Sequence, residues 1–208
     1  MKIFIDFDDV LFNTKKFRED LQNLFFQHGI SREVFEKNYF SSGKIKTYDP
    51  WEHIETISKE EKINKNEILK ELEEFMIDTN PYLFEDSVDF LKSFDEQFVC
   101  IVSYGDSKFQ GMKIGECRVG KYCKEIKITN QLKSDVIEEE IKKWDGKEKI
   151  FFIEDRTEQI EDVKRRFPFI ETIFMRRSEG RYADEKTSLC DYEARNLQEV
   201  EELIKSLK

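Results

Sequence analysis

The first dozen residues, MKIFIDFDDVLF, narrow the fold of this chain more than any other stretch. Between Lys2 and Phe7 it carries Ile3, Phe4, Ile5 and Phe7 with almost nothing polar among them, and the run stops on Asp6, Asp8 and Asp9. A strand that is apolar on both faces belongs inside a parallel sheet covered by helices on both sides. Ligands of such sheets bind beyond the carboxyl ends of the strands, where these acids fall. Asp is also a common turn former. Asp6, however, lies between Ile5 and Phe7 and so still belongs to the strand, where a carboxylate is costly to bury without a partner. The acids therefore read as functional.

Downstream of Phe12 the apolar period becomes helical. Phe17, Leu21, Leu24 and Phe25 recur at helix spacing before Gly29, and further helices are expected over Arg32 to Phe40, Pro50 to Ile57 and Lys65 to Ile77. Asn64 with Glu67 is a start signal for the last of these, and Asn80-Pro81 ends the block. Strand and helix then alternate: a helix near Asp86 to Phe94, a strand Phe98 to Val102 ending on Ser103, a helix about Asp106 to Ile114, and a strand Glu125 to Thr129. A helix Ser134 to Lys143, a strand Ile150 to Ile153 ending on Glu154-Asp155, a helix through Phe167, a strand Thr172 to Met175 and a helix Leu197 to Leu207 complete the pattern. Alternation of this kind predicts an α/β fold, a Rossmann-like parallel sheet interrupted after its first strand by a helical insertion.

Composition excludes several functions. A formal charge of -10 argues against a nucleic-acid backbone as partner, since that binding relies on clustered Lys and Arg. Cys100, Cys117, Cys123 and Cys190 form no CxxC pair and have only His28 and His53 to join them, which suits reduced thiols in a cytoplasmic protein better than a zinc site. No apolar run approaches the roughly 20 residues needed to cross a bilayer, and the acidic start is unlike a signal peptide. Nothing in the sequence fixes an oligomeric state.

Three expected strands end on polar groups that can converge: Asp6 and Asp8, then Ser103, then Glu154 and Asp155. Lys133 stands between the last two, at the entry to a helix. Acids brought within 4 Å repel by about 4 kcal/mol per pair at an effective dielectric near 20. Lys133 offsets one charge and a divalent cation two. An all-oxygen ligand set suits Mg²⁺, commonly held by one or two carboxylates, waters and substrate phosphate. A hydroxyl and an ammonium beside it are partners for phosphoryl oxygens, so the reaction class expected is phosphoryl transfer.

In order, DFDDV at Asp6 to Val10, Ser103 closing IVSYG, Lys133, and Glu154-Asp155 closing FFIED resemble the four signature motifs of the haloacid dehalogenase-like hydrolases. The resemblance implies a core domain over 1–13 and 81–208 and a helical cap domain over 14–80. It implies that Asp6 is the nucleophile and forms an aspartyl-phosphate, and that Asp8 is the general acid and base and also binds the metal through its backbone carbonyl. Ser103 and Lys133 would hold the phosphoryl charge, and Asp155, with Glu154 beside it, would join Asp6 and Asp8 in binding Mg²⁺. Dehalogenases of this family lack the second acid of D-x-D, so Asp8 implies a phosphatase of small phosphorylated metabolites; a phosphotransferase or mutase, or a silent binding protein, are the alternatives. Lys124 and Lys127 compete with Lys133 for the third motif, and Gln159 and Ile160 stand where some members carry a further acid.

Other polar and aromatic clusters have plainer readings. Arg176, Arg177 and Arg181 read as a charged loop, and Glu138 to Glu140 and Glu199 to Glu202 as exposed helix faces. Tyr39, Phe40, Tyr48 and Trp51 suit either a substrate pocket or packing between helices of the insertion.

Overall fold

The structure is a computed structural model and describes residues 1–39, 47–144 and 148–207. Its strands are β1 (Lys2–Ile5), β2 (Val99–Tyr104), β3 (Glu125–Thr129), β4 (Ile150–Glu154), β5 (Glu171–Met175) and β6 (Tyr192–Ala194). They form one sheet of order β3-β2-β1-β4-β5-β6, with every pairing parallel. The chain thus builds outward from β1 in one direction and then returns to build outward in the other. That reversal between β1 and β4 makes the crevice in which doubly wound sheets place their ligands.

The apolar run Ile3 to Ile5 of β1 is explained by its central place. Ile3, Phe4, Ile5 and Phe7 are wholly buried, each contributing about 1.5–3 kcal/mol relative to an exposed side chain. Alternation along the strands divides the core in two. Ile3, Ile5, Val99, Ile101, Phe151, Ile153 and Ile173 share one apolar cluster, while Phe4, Cys100, Val102, Phe152 and Phe174 belong to another. Successive side chains point to opposite faces of a sheet. Asp6 therefore shares the face of Phe4, and Glu154 that of Phe152, whereas Ser103 shares the face of Ile101.

Helices α1 (Thr14–Gln27), α2 (Arg32–Tyr39), α3 (Pro50–Glu60) and α4 (Lys65–Met76) lie between β1 and β2 in the chain, followed by α5 (Ser87–Lys92). Asn13, Asp49 and Asn64 cap α1, α3 and α4 with their side chains. The expected helix over Arg32 to Phe40 ends at Tyr39, and Phe40 lies outside the described residues. Buried residues of this block, Phe17, Phe25, Phe35 and Ile54 among them, are continuous with the first apolar cluster of the sheet. Helices α6 (Ser107–Glu116), α7 (Lys133–Lys142), α8 (Thr157–Arg166) and α9 (Leu197–Ser206) alternate with the later strands. Phe109 and Ile114 of α6 join the first cluster; Ile137 of α7 and Ile160 and Val163 of α8 join the second.

One expectation fails in α7. Glu140 is buried, with Lys143 at 2.8 Å and Lys127 at 3.2 Å from its Oε1, rather than part of an exposed face. Lys127, on the neighbouring strand β3, drew it inward. The cysteines are all free and buried, and no helix of the described residues is long and apolar enough to cross a membrane.

Candidate active site

Asp6 follows β1 directly. Since Ile5 pairs with Ile153, the next residues, Asp6 and Glu154, stand level on adjacent strands, and the Asp6 N–H donates to the Ile153 carbonyl at 3.0 Å. Lys133, on the first turn of α7 over the same face, reaches both: its Nζ lies 2.6 Å from Asp6 Oδ1 and 2.6 Å from Glu154 Oε2. Glu154 is fully engaged, because its Oε1 also accepts from the backbone N–H groups of Asp155 and Arg156, each at 3.1 Å. It anchors the lysine and the turn after β4. Gln159 accepts the Lys133 backbone N–H at 3.3 Å. Lys124 is exposed and Lys127 is spent on Glu125 and Glu140, so Lys133 is the lysine brought to the acids.

Asp6, Glu154 and Asp155 each offer an oxygen within 4.8 Å of the others, and all are buried. At that separation each ionised pair repels by about 3 kcal/mol with an effective dielectric near 20. Burial, then Glu154, pushes the Asp6 carboxyl well above the usual range against the pull of Lys133. Burial, followed by Glu154, Asp6 and Asp9, does the same to Asp155. Burial alone would depress Lys133, but Asp6 and Glu154 reverse this and hold it as the ammonium. Three acids face one lysine, and a dication would balance the remainder. The all-oxygen donors fit Mg²⁺: Asp6 Oδ2 has no partner among the described residues, no described donor reaches the Asp8 backbone carbonyl, and the Asp155 carboxyl lies against Glu154. A small open cleft lies beside Asp155, bordered by Asp9, Arg176, Tyr182 and Asp184.

The second half of the site lies over the other face. A tight turn after β1, with the Leu11 and Phe12 N–H groups bonded to the Phe7 carbonyl, swings the Asp8 side chain away from the metal-type cluster. There Asp8 Oδ1 accepts from Thr14 Oγ1 at 2.6 Å and from Lys113 Nζ at 2.5 Å, while Oδ2 accepts from Gln110 Nε2 at 2.6 Å. Burial opposes ionisation of Asp8, but Lys113, with help from Arg181, holds the carboxyl far below its ordinary value. Burial lowers the Lys113 ammonium in turn, against the opposing pull of Asp8. Ser103, wholly buried near the end of β2, accepts from the same Gln110 nitrogen at 2.9 Å.

Asp9 adopts φ 57, a left-handed conformation in which Asp is tolerated better than most residues. It is buried, and its Oδ2 accepts from Arg181 Nε at 2.5 Å, whereas Oδ1 has no partner among the described residues. Arg181 is therefore not simply part of a charged loop, and neither is Arg177, which holds the turn through the Val10 carbonyl (3.0 Å) and Asp86 (2.7 Å). Arg176 stays exposed. Tyr39 stacks on Tyr48 at 4.2 Å, and Tyr48 and Trp51 meet Phe109 edge-on at 5.6 and 6.3 Å, so packing accounts for these rings.

Sequence reasoning missed Thr14, Gln110, Lys113 and the Asp9–Arg181 pair. One signal was available for α6: Gln110 and Lys113 interrupt an apolar stripe formed by Phe109 and Ile114, where solvent-facing polar residues do not belong.

No protein-family model matches the sequence, and no curated protein matches it. Solved structures do. A haloacid dehalogenase-like hydrolase from Burkholderia xenovorans aligns with a TM-score of 0.74 at 15% identity, over 98% of this chain and 96% of that one. A magnesium-bound hydrolase of the same superfamily, YfnB from Bacillus subtilis, aligns at 0.63 and 15% identity, over 98% and 97% of the two chains. The L-2-haloacid dehalogenase of Xanthobacter autotrophicus, with chloropropionic acid covalently bound, aligns at 0.61 and 10% identity, over 100% and 99%. The chain has the fold of the haloacid dehalogenase-like hydrolases, an α/β fold with a Rossmann-like core.

Proposed function

We propose that this protein is a Mg²⁺-dependent phosphohydrolase of small phosphorylated metabolites, working through an aspartyl-phosphate on Asp6. The observation that carries the reading is the pairing of two unlike carboxylates two residues apart. Asp6 keeps one oxygen without a partner among the described residues, beside a cluster suited to a dication, and Asp8, ionised by Lys113, sits apart as a proton carrier. A haloacid dehalogenase has no use for the second acid.

In the first half-reaction Asp6 Oδ2 bonds to phosphorus as the bond to the leaving oxygen breaks, and that oxygen takes a proton from Asp8. The negative charge of an arriving phosphoryl group raises the proton affinity of Asp8, and Lys113 is the adjacent proton source. In the second half a water loses its proton to Asp8 and attacks phosphorus, releasing inorganic phosphate and restoring Asp6. Ser103 and Lys133 hold phosphoryl oxygens. Mg²⁺, held by Asp6, Asp155 and the Asp8 carbonyl, would neutralise charge on the phosphoryl group. We read the helical block 14–80 as a cap that excludes water from these steps.

The test is release of inorganic phosphate from a panel of sugar phosphates, nucleotides and phospho-amino acids, with Mg²⁺ and with a chelator. Metal-dependent release by the native protein and its loss in Asp6→Asn are expected. Absence of turnover across the panel, or an Asp6→Asn variant as fast as the native protein, contradicts the reading.

A further inference from the structure

We infer that Gln110 is a positioning residue that couples Ser103 to Asp8, an inference that rests on the phosphoryl-transfer reading above. Its amide is the only group among the described residues with hydrogen bonds to both. Nε2 lies 2.6 Å from Asp8 Oδ2, 2.9 Å from Ser103 Oγ and 3.1 Å from the Tyr104 carbonyl, while Oε1 accepts from Lys113 Nζ at 2.8 Å. The direction of the amide follows from its neighbours. A carboxylate and a carbonyl only accept, and an ammonium only donates, so the nitrogen must face Asp8 and Tyr104 and the oxygen must face Lys113.

That orientation decides what Ser103 does. The amide carries two hydrogens for three acceptors, so Ser103 Oγ shares them with Asp8 and the Tyr104 carbonyl, and because an amide nitrogen does not accept, the serine's own O–H hydrogen is left for another acceptor. No described residue takes it, and the open partner is the phosphoryl oxygen that Ser103 faces in the proposed reaction. Without Gln110 the strongest acceptor near the hydroxyl is the Asp8 carboxylate, bonded to that same nitrogen. A serine that turned to donate to Asp8 would lose its hydrogen to the resident acid, and Asp8 would lose a lone pair needed for the proton it carries. Gln110 keeps the two groups apart in function while holding both in place.

The backbone is shaped around this side chain. Gly105 follows β2, and a Cβ there would meet Gln110 Cγ at 2.6 Å, a distance that real Cβ atoms do not show. The glycine after Ser103-Tyr104 therefore admits Gln110 to the site. Gln110 itself is 3% exposed, so it has no solvent-facing role to explain its polarity.

The experiment is a kinetic double-mutant cycle on the best substrate of the phosphate panel, in Mg²⁺ buffer. Gln110→Met keeps the volume and removes the polar atoms; kcat should fall about 10–100-fold, as for other residues that orient catalytic groups, with KM within about threefold. Ser103→Ala should cost a similar factor, and the double variant should be no slower than the slower single by more than about twofold, because the serine acts only when Gln110 orients it. Gln110→Glu keeps the contact with Lys113 but presents an acceptor to Ser103 and a charge to Asp8; it should be slower than Gln110→Met. Thermal melts followed by circular dichroism identify a variant that fails to fold, in which case the other Gln110 variant carries the cycle. A Gln110 variant with kcat within about threefold of native, or a double variant whose loss is the product of the single losses, overturns the inference. A native protein that releases no phosphate overturns the underlying reading instead.

Discussion

Lys133 places its ammonium 2.6 Å from Asp6 Oδ1 while being 1% exposed, so one buried cation supports the carboxylate proposed to react. Its second contact, with Glu154, fixes it from the neighbouring strand. Replacing one partner of a buried pair leaves the rest uncompensated, at a cost of about 3–5 kcal/mol. Lys133→Met should lower the unfolding free energy in urea by that amount. Lys127→Met, removing a half-buried lysine of β3, should cost far less. Equal losses for the two variants would contradict the assignment of Lys133 to the site.

The acid cluster makes stability depend on pH and on metal together. Asp6 and Asp155 have carboxyl groups raised above the ordinary value near 4. Between that value and the raised ones the folded protein holds more protons than the unfolded chain, so its stability falls as pH rises through the window. A dication favours the ionised acids and reverses this. The gain in Tm from adding Mg²⁺ should therefore grow from pH 5 to pH 8, and Asp155→Asn should abolish most of it. A gain independent of pH, or retained in Asp155→Asn, would show that the ion binds elsewhere.

Much of this was legible in the sequence because it is local. The apolar run of β1, the helix spacings of α1 and α4 and the strand endings on Asp6, Ser103 and Glu154 each lie within a short segment. Strand β6 was not foreseen, since a run of three residues, Tyr192–Ala194, is too short to show a period and is defined by its pairing with β5. The partners of Asp8 were hidden for a different reason. Gln110 and Lys113 are 102 and 105 positions away, and Arg181 is 172 from Asp9. Nothing within either segment announces such a partner beyond a polar residue on an apolar stripe.

His53 supplies a second pH dependence, in the helical block. Its Nε2 faces the Phe35 carbonyl at 3.1 Å and must carry a hydrogen, while Nδ1 lies 3.0 Å from the Tyr48 hydroxyl. Burial lowers the His53 pKa to about 4, which keeps the ring neutral at pH 7 and makes Nδ1 the acceptor. The unfolded chain takes up the proton near pH 6.5, so the contribution of His53 is complete above that value and is lost as pH falls toward 4. The difference corresponds to about 3 kcal/mol at its limit. His53→Leu should lose less stability than the native protein between pH 7 and pH 4, measured by urea unfolding at each pH. Parallel curves for the two proteins would refute the assignment.

Asp9 and Arg181 test how the turn after β1 is held. Asp9 combines a left-handed backbone with a buried carboxylate raised by burial and restrained by Arg181. Arg181→Met removes the cation and strands that carboxylate, which should destabilise the protein by about 3–5 kcal/mol. Asn tolerates the same backbone conformation without the charge, so Asp9→Asn added to Arg181→Met should restore most of the loss. Asp9→Ala would not, since alanine keeps the strain at φ 57. The comparison separates charge from backbone: if Asn and Ala rescue equally, strain at Asp9 contributes nothing, and if neither rescues, Arg181 supports the fold through contacts other than Asp9.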